Sequence, residues 1–133
     1  MRFIFGIFFI LHGLVHMLYA GHAAGYFELK PGMTWPDGSW AFSRLIGNGA
    51  IRNLAGISLV LVSIALVAGG VGALANLTWW RALVSGTVVF SSILFILFWN
   101  GGMQNLDGQG LVGILINLAI LFSVLKYHLP AVE

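Results

Sequence analysis

FIFGIFFILHGLVHMLYAGHAA, residues 3–24, is an apolar run interrupted by His12 and His16. A helix of about 20 mainly apolar residues covers the roughly 30 Å of hydrocarbon in a bilayer, so the run is long enough to cross one. The histidines are one helical turn apart and therefore share a face. An ionisable side chain inside a span is costly, turns towards the bundle interior or a cavity, and marks a functional site by default. Where these imidazoles point governs how the other helices must arrange their own polar groups.

The whole chain fits that setting. Of its 133 residues, 59% are hydrophobic and 8% charged, against roughly a quarter charged in ordinary soluble domains. Too little polar surface is present to wrap a water-soluble core, and the length suits a single transmembrane domain, residues 1–133. The formal charge of +2 comes from scattered basic residues. No Lys/Arg run points to nucleic acid; the partners expected are the lipid bilayer and either other membrane subunits or further copies of the chain. Cysteine is absent, which excludes disulfides, thiolate metal sites and a cysteine nucleophile. Met1-Arg2, the apolar run and YAGHAAG together resemble a signal peptide. The histidines inside the run argue instead for a retained first helix.

Hydropathy and turn signals predict an all-α, integral membrane, four-helix antiparallel bundle with spans of about 3–22, 51–69, 80–99 and 110–127. Residues 25–49 form the long connection, with turns at Pro31-Gly32 and Pro36-Asp37-Gly38. Its aromatics Tyr26, Phe27, Trp35, Trp40 and Phe42 suit the headgroup layer, so the loop is expected to lie folded on the membrane surface with a short helix from about Ser39. Arg44, Asn48 and Arg52 are spaced to share one helical face and to snorkel towards lipid phosphates. Residues 69–78, GGVGALANLT, read as a glycine-rich turn, Trp79-Trp80-Arg81 as an interfacial anchor, and residues 100–109, NGGMQNLDGQ, as a short polar loop. Lys126, Tyr127, His128 and Pro130 close the last helix.

Four spans put both termini on one side. Arg2, Arg81 and Lys126 on that side balance Lys30, Arg44 and Arg52 on the other, so the positive-inside rule does not decide. A folded, Trp-rich loop favours the outer face and places the termini in the cytoplasm.

Depth along each span, at about 1.5 Å per residue, brings a polar group of every helix to one level. From the termini side, His12 lies roughly 13 Å in and His16 roughly 20 Å, with Ser58 and Asn117 at roughly 20 Å and Ser91 and Ser92 at roughly 17 Å. Such a layer serves either as hydrogen-bonded packing between helices or as the lining of a ligand cavity floored by His12 and His16. Histidines at i and i+4 reach one metal ion, but no third strong ligand lies at that depth, and only copper would recruit His22 and Met17. A haem clamped from both faces needs histidines from different helices; His12, His16 and His22 share one, and His128 is at the far end of the last. A chlorophyll-type tetrapyrrole or a quinone needs a single imidazole and fits better. The candidate cofactor-binding residues are therefore His12, His16, Ser58, Ser91 and Asn117, with no metal site and no catalytic residue assigned.

The acids Glu28, Asp37, Asp107 and Glu133 fall outside the spans, so the proton relay of a coupled transporter is missing. Neither a hydrolase elbow nor a phosphate or dinucleotide fingerprint occurs. His12 or His16 as a general base has nothing beside it to complete a catalytic set. Asp107 is expected to pair with Arg44 or Arg52 and position the long loop.

The segments FGIFFILHGLVHMLY (5–19) and FWNGGMQNLDGQGLVGILINLAIL (98–121) resemble a widespread group of small bacterial and archaeal four-helix membrane proteins. That group is marked by an HGLxH first helix and is similar in outline to the DoxX-like superfamily. His12, Gly13 and His16 match the first motif, and Asn117 falls in the second. The resemblance implies a four-helix bundle with its termini together, in a prokaryotic cytoplasmic membrane, and a distant link to quinone-coupled redox work. The long Trp-rich first loop departs from the pattern. With no catalytic set, the chain reads as an accessory or assembly subunit of a larger membrane complex. The alternative is a redox or pigment protein holding a quinone, tetrapyrrole or metal at the first-helix histidines.

Overall fold

The computed structural model describes residues 1–126, so the expected roles of Tyr127, His128 and Pro130 and the position of Glu133 lie outside the described residues. Helix α1 is Arg2–Ala23, α2 Ser43–Leu74, α3 Trp80–Leu97 and α4 Leu111–Lys126, with a 3-10 turn at Leu106–Gln109 before α4. The described residues contain no strand. Helices α1, α2 and α3 are long and apolar enough to cross a membrane; α4 is apolar and shorter, at 16 residues.

Helix α2 organises the core. Ile51, Ala55, Leu59, Val62, Leu66 and Ala73 are buried along one stripe, while Leu54, Ile57, Leu61 and Ile64 face outward. This is the 3.6-residue periodicity of a helix with one packed side, and the outward side is as apolar as the inward one. On the packed side the backbones of α1 and α2 approach closely. A methyl group on Gly70 would lie 2.6 Å from the carbonyl oxygen of Gly6, and one on Gly13 would lie 3.0 Å from that of Ser63. Small residues permit such approach between apolar helices, where dispersion contacts are the main attraction.

Those glycines correct one boundary. Residues 69–78 were expected to turn, yet α2 continues through Gly69, Gly70 and Gly72 to Leu74. These glycines are there for packing: a methyl on Gly69 would meet Val84 at 2.5 Å, and one on Gly72 would meet Trp80 at 3.0 Å. At the other end α2 begins at Ser43, with Gly47 held at φ 74°, ψ 161°. Only glycine adopts that conformation freely, and it breaks the helical register between Arg44 and Arg52. The shared cationic face expected of them therefore does not form.

The connection from α1 to α2 is tied down by side chains. His22 at the end of α1 donates from Nε2 to the Trp35 carbonyl at 3.0 Å and accepts from the Leu29 amide at 3.3 Å. Trp35 is fully buried against Phe95, with ring centroids 4.8 Å apart, so it belongs to the core and not to the headgroup layer. Ser39 donates its hydroxyl to the Leu97 carbonyl, and the Trp40 indole donates to the Ile96 carbonyl at 2.8 Å. The short helix expected from about Ser39 begins at Ser43 and is set off from the rest of α2 by the kink at Gly47; the Ser39 hydroxyl accepts the amides of Ala41 and Phe42 just ahead of it.

The ion pairs also differ from expectation. Asp107 pairs with Lys30, and Arg52 pairs with Asp37. Arg52 further donates to the carbonyls of Ala23 and His22, both at 3.2 Å. It caps the C-terminal end of α1, where a cation meets the negative end of the helix dipole; the His22 carbonyl also accepts the Gly25 amide at 3.0 Å.

Candidate functional site

His12 and His16 project from the packed face of α1, at 5% and 1% exposure, towards Ser91 on α3 and Asn117 on α4. Gly13 between them lets α2 press against α1, which leaves the imidazoles aimed at the other two helices. Phe8 stacks parallel to His12 with centroids 6.1 Å apart, and Phe95 lies 5.9 Å from His16. Aromatic side chains thus flank both rings.

The hydrogen bonds follow in one direction. His16 Nδ1 lies 2.9 Å from the His12 carbonyl, and a carbonyl can only accept. His16 therefore carries its proton on Nδ1, and its Nε2 accepts from the Ser91 hydroxyl at 2.7 Å. The Ser91 oxygen in turn accepts from Asn117 Nδ2 at 3.0 Å, and Asn117 Oδ1 accepts from His12 Nε2 at 2.8 Å. The path runs from the His12 ring through Asn117, Ser91 and His16 back to the His12 backbone. Ser92 stands beside it, 3.3 Å from Asn117 Nδ2, and donates to the Val88 carbonyl at 2.8 Å. Every link is made with both histidines neutral, which avoids placing a charge in an apolar interior.

The structure brings His12, His16, Ser91 and Asn117 into one cluster and leaves Ser58 out of it. Ser58 is half-buried on α2, and α2 packs against α1 and α3. His22 is engaged with the loop, and Met17 is exposed, so neither joins the His12 and His16 rings around an ion. Among the described residues no group of three His, Asp or Glu converges. Both nitrogens of His16 are engaged, and Nδ1 of His12 is the one imidazole nitrogen of the pair outside the circuit. Any cofactor contact from this layer would fall to that atom.

Sequence reading missed the latch made by His22, Arg52 and Trp35, although His22 three residues before the glycine that ends α1 was a usable signal. It also missed Gln109, which is buried, donates to the Thr34 hydroxyl, and keeps a buried Oε1 without a partner among the described residues.

No protein-family model, curated protein or solved structure matches this chain.

Proposed function

We propose that this chain is a multi-pass integral membrane protein, an antiparallel bundle of four crossings, that serves as a non-catalytic accessory or assembly subunit of a larger membrane complex. The observation that carries the reading is an open, small-residue groove on the outer surface. Ala82 and Gly86 are exposed one turn apart on α3 and line a groove against Leu61 and Ala65 of α2, of about 320 Å³. A methyl on Gly86 would touch nothing within 4 Å. Small residues one turn apart on an apolar surface let another helix's backbone approach. The buried polar layer supports the same reading, because its donors and acceptors serve each other and leave no free catalytic set. Helix α4 rises about 24 Å over its 16 residues; local thinning of the bilayer accommodates a crossing of that length. The resemblance noted above supports a prokaryotic cytoplasmic membrane.

Extraction from native membranes in mild detergent tests this. The chain should co-purify with other membrane subunits or as an oligomer, and Gly86→Ile should release it while leaving its helicity intact. A lone, unliganded monomer would overturn the reading.

A second reading, a quinone, tetrapyrrole or metal held at the α1 histidines, is favoured by His12 Nδ1, the nitrogen left outside the circuit. An absorption spectrum, metal analysis and lipid extract of the purified protein test it; a colourless, metal-free, quinone-free sample ends it.

A further inference from the structure

Near the loop end of the bundle, α1, α2 and the start of the connection enclose a groove of about 670 Å³, within the usual range of ligand sites. Small residues make its floor, Gly21 and Ala24 of α1 and Gly56 of α2. Phe27 folds back as one wall: a methyl on Gly21 would lie 2.8 Å from its ring. Helix packing does not require Gly56 as it requires Gly13 or Gly70, since a methyl there meets α1 only at an ordinary 3.7 Å. The missing side chain goes instead to the depth of the groove.

The groove is graded along its length. Arg52 and Asn53 line one end, and Ile57 and Val60 continue it along α2, about 12 Å of helix from Arg52 to Val60. Met17 and Leu18 of α1 face them. Met17, Leu18 and Ile57 are exposed, so the apolar part opens along the outer surface. The inference rests on the reading that the chain spans a bilayer. Arg52 then stands at headgroup depth, where α2 leaves the polar connection, and Val60 lies within the hydrocarbon. Tyr26 and Phe27 at the polar end suit the same interface.

Arg52 keeps donors to spare. A guanidinium has five N–H groups, and three of them serve Ala23, His22 and Asp37. One on each terminal nitrogen is left without an acceptor among the described residues, and the side chain is 33% exposed. The Asn53 carboxamide beside it is exposed as well. A planar fork of N–H groups matches phosphate oxygens, which accept two such bonds together. Asp37 already balances the charge of Arg52, which favours a singly charged phosphodiester over a free phosphate dianion. No acid lines the groove among the described residues.

We infer that this groove binds one phospholipid, its tail laid over Gly21, Gly56 and Val60 and its phosphate accepting from Arg52 and Asn53. The apolar part admits any tail. The guanidinium at headgroup depth is what selects a lipid that carries phosphate.

The full-length chain is reconstituted in nanodiscs holding equal amounts of a phosphatidylethanolamine and a galactosyl diacylglycerol with the same tails. Native mass spectrometry then reads which lipid stays bound on release from the disc. One phospholipid per chain should be retained, in preference to the glycolipid by about tenfold or more, the size of one hydrogen bond to a charged group. The preference should fall in Arg52→Met and, with less risk to the fold, in Asn53→Leu. Arg44 is an exposed cation of the same end that does not line the groove, so Arg44→Met should leave the preference intact. Equal retention of the two lipids, a preference that persists in either groove variant, or one that falls equally in Arg44→Met overturns the inference. A chain that inserts and retains neither lipid refutes the groove alone, whereas a chain that stays out of the discs refutes the membrane reading and the groove with it.

Discussion

His12 on α1 donates to Asn117 on α4 across 2.8 Å, joining two helices whose backbones pack far less closely than those of α1 and α2. The first and last helices thus meet through side chains, at the layer where Ser91 of α3 also enters. Between apolar helices in lipid there is no hydrophobic force to bring them together. Directional contacts of this kind fix which helix faces which.

Asn117→Leu should therefore be destabilising by about 1–2 kcal/mol, since it strands the His12 N–H and removes a donor from Ser91. Adding His12→Leu should cost less than the sum of the two single changes, because the stranded donor disappears with its acceptor. Reversible unfolding in detergent micelles gives both numbers. Strict additivity would mean that the two side chains act independently.

Packing between α1 and α2 predicts a contrast between two glycines. Gly70→Ala places a methyl 2.6 Å from the Gly6 carbonyl oxygen; relieving that contact requires the helices to separate, at about 1–3 kcal/mol. Gly86→Ala meets nothing within 4 Å and should be neutral or stabilising by up to about 1 kcal/mol, as alanine is the better helix former. Thermal unfolding of the two variants side by side checks the contrast. Similar effects would show that α1 and α2 are not in backbone contact.

Depth was legible in the sequence because rise per residue is a fixed property of a helix. Azimuth was not, which is why Ser58, at the same expected level, lies outside the circuit formed by His12, His16, Ser91 and Asn117. Glycine carried the opposite ambiguity. Gly69, Gly70 and Gly72 read as a turn by composition, yet each is a point of close helix packing, a distinction that depends on the partner surface and not on local propensity. Loop pairings were the least legible. Lys30 to Asp107 spans 77 positions, and nothing local distinguishes it from the pairing of Asp107 with Arg44 or Arg52.

The Lys30–Asp107 contact gives a pH dependence. The Lys30 ammonium beside it holds the Asp107 carboxyl below the usual carboxylate range. A depressed folded-state value means that the contribution is complete above the ordinary aspartate value of about 3.9 and is lost as pH falls through the lower folded value. Amide protection in residues 25–42, taken relative to the intrinsic exchange rate at each pH, should thus fall on acidification below about pH 4, and Asp107→Asn should show the lower protection at neutral pH with little further change. High salt should reproduce part of the effect, since both side chains are exposed. A loop indifferent to acid, salt and Asp107→Asn would show that the pair plays no part in its position.

Arg52 joins the same loop to the end of α1 by two kinds of contact that can be separated. It donates to the carbonyls of Ala23 and His22, and it pairs with Asp37. Asp37→Asn removes the charge of the partner but keeps the carbonyl contacts, and should change stability by less than about 1 kcal/mol, in the range of exposed ion pairs. Arg52→Met keeps much of the apolar stem and takes the guanidinium from the Ala23 carbonyl and from the negative end of α1, so it should cost more, about 1–2 kcal/mol. Arg52→Lys should restore little, because one ammonium cannot reproduce the planar spread of donors that reaches two carbonyls and a carboxylate together. Limited proteolysis between α1 and α2, run beside thermal unfolding, distinguishes the variants. If Asp37→Asn and Arg52→Met behave alike, the guanidinium acts only as a charge and the end of α1 is held by His22 instead.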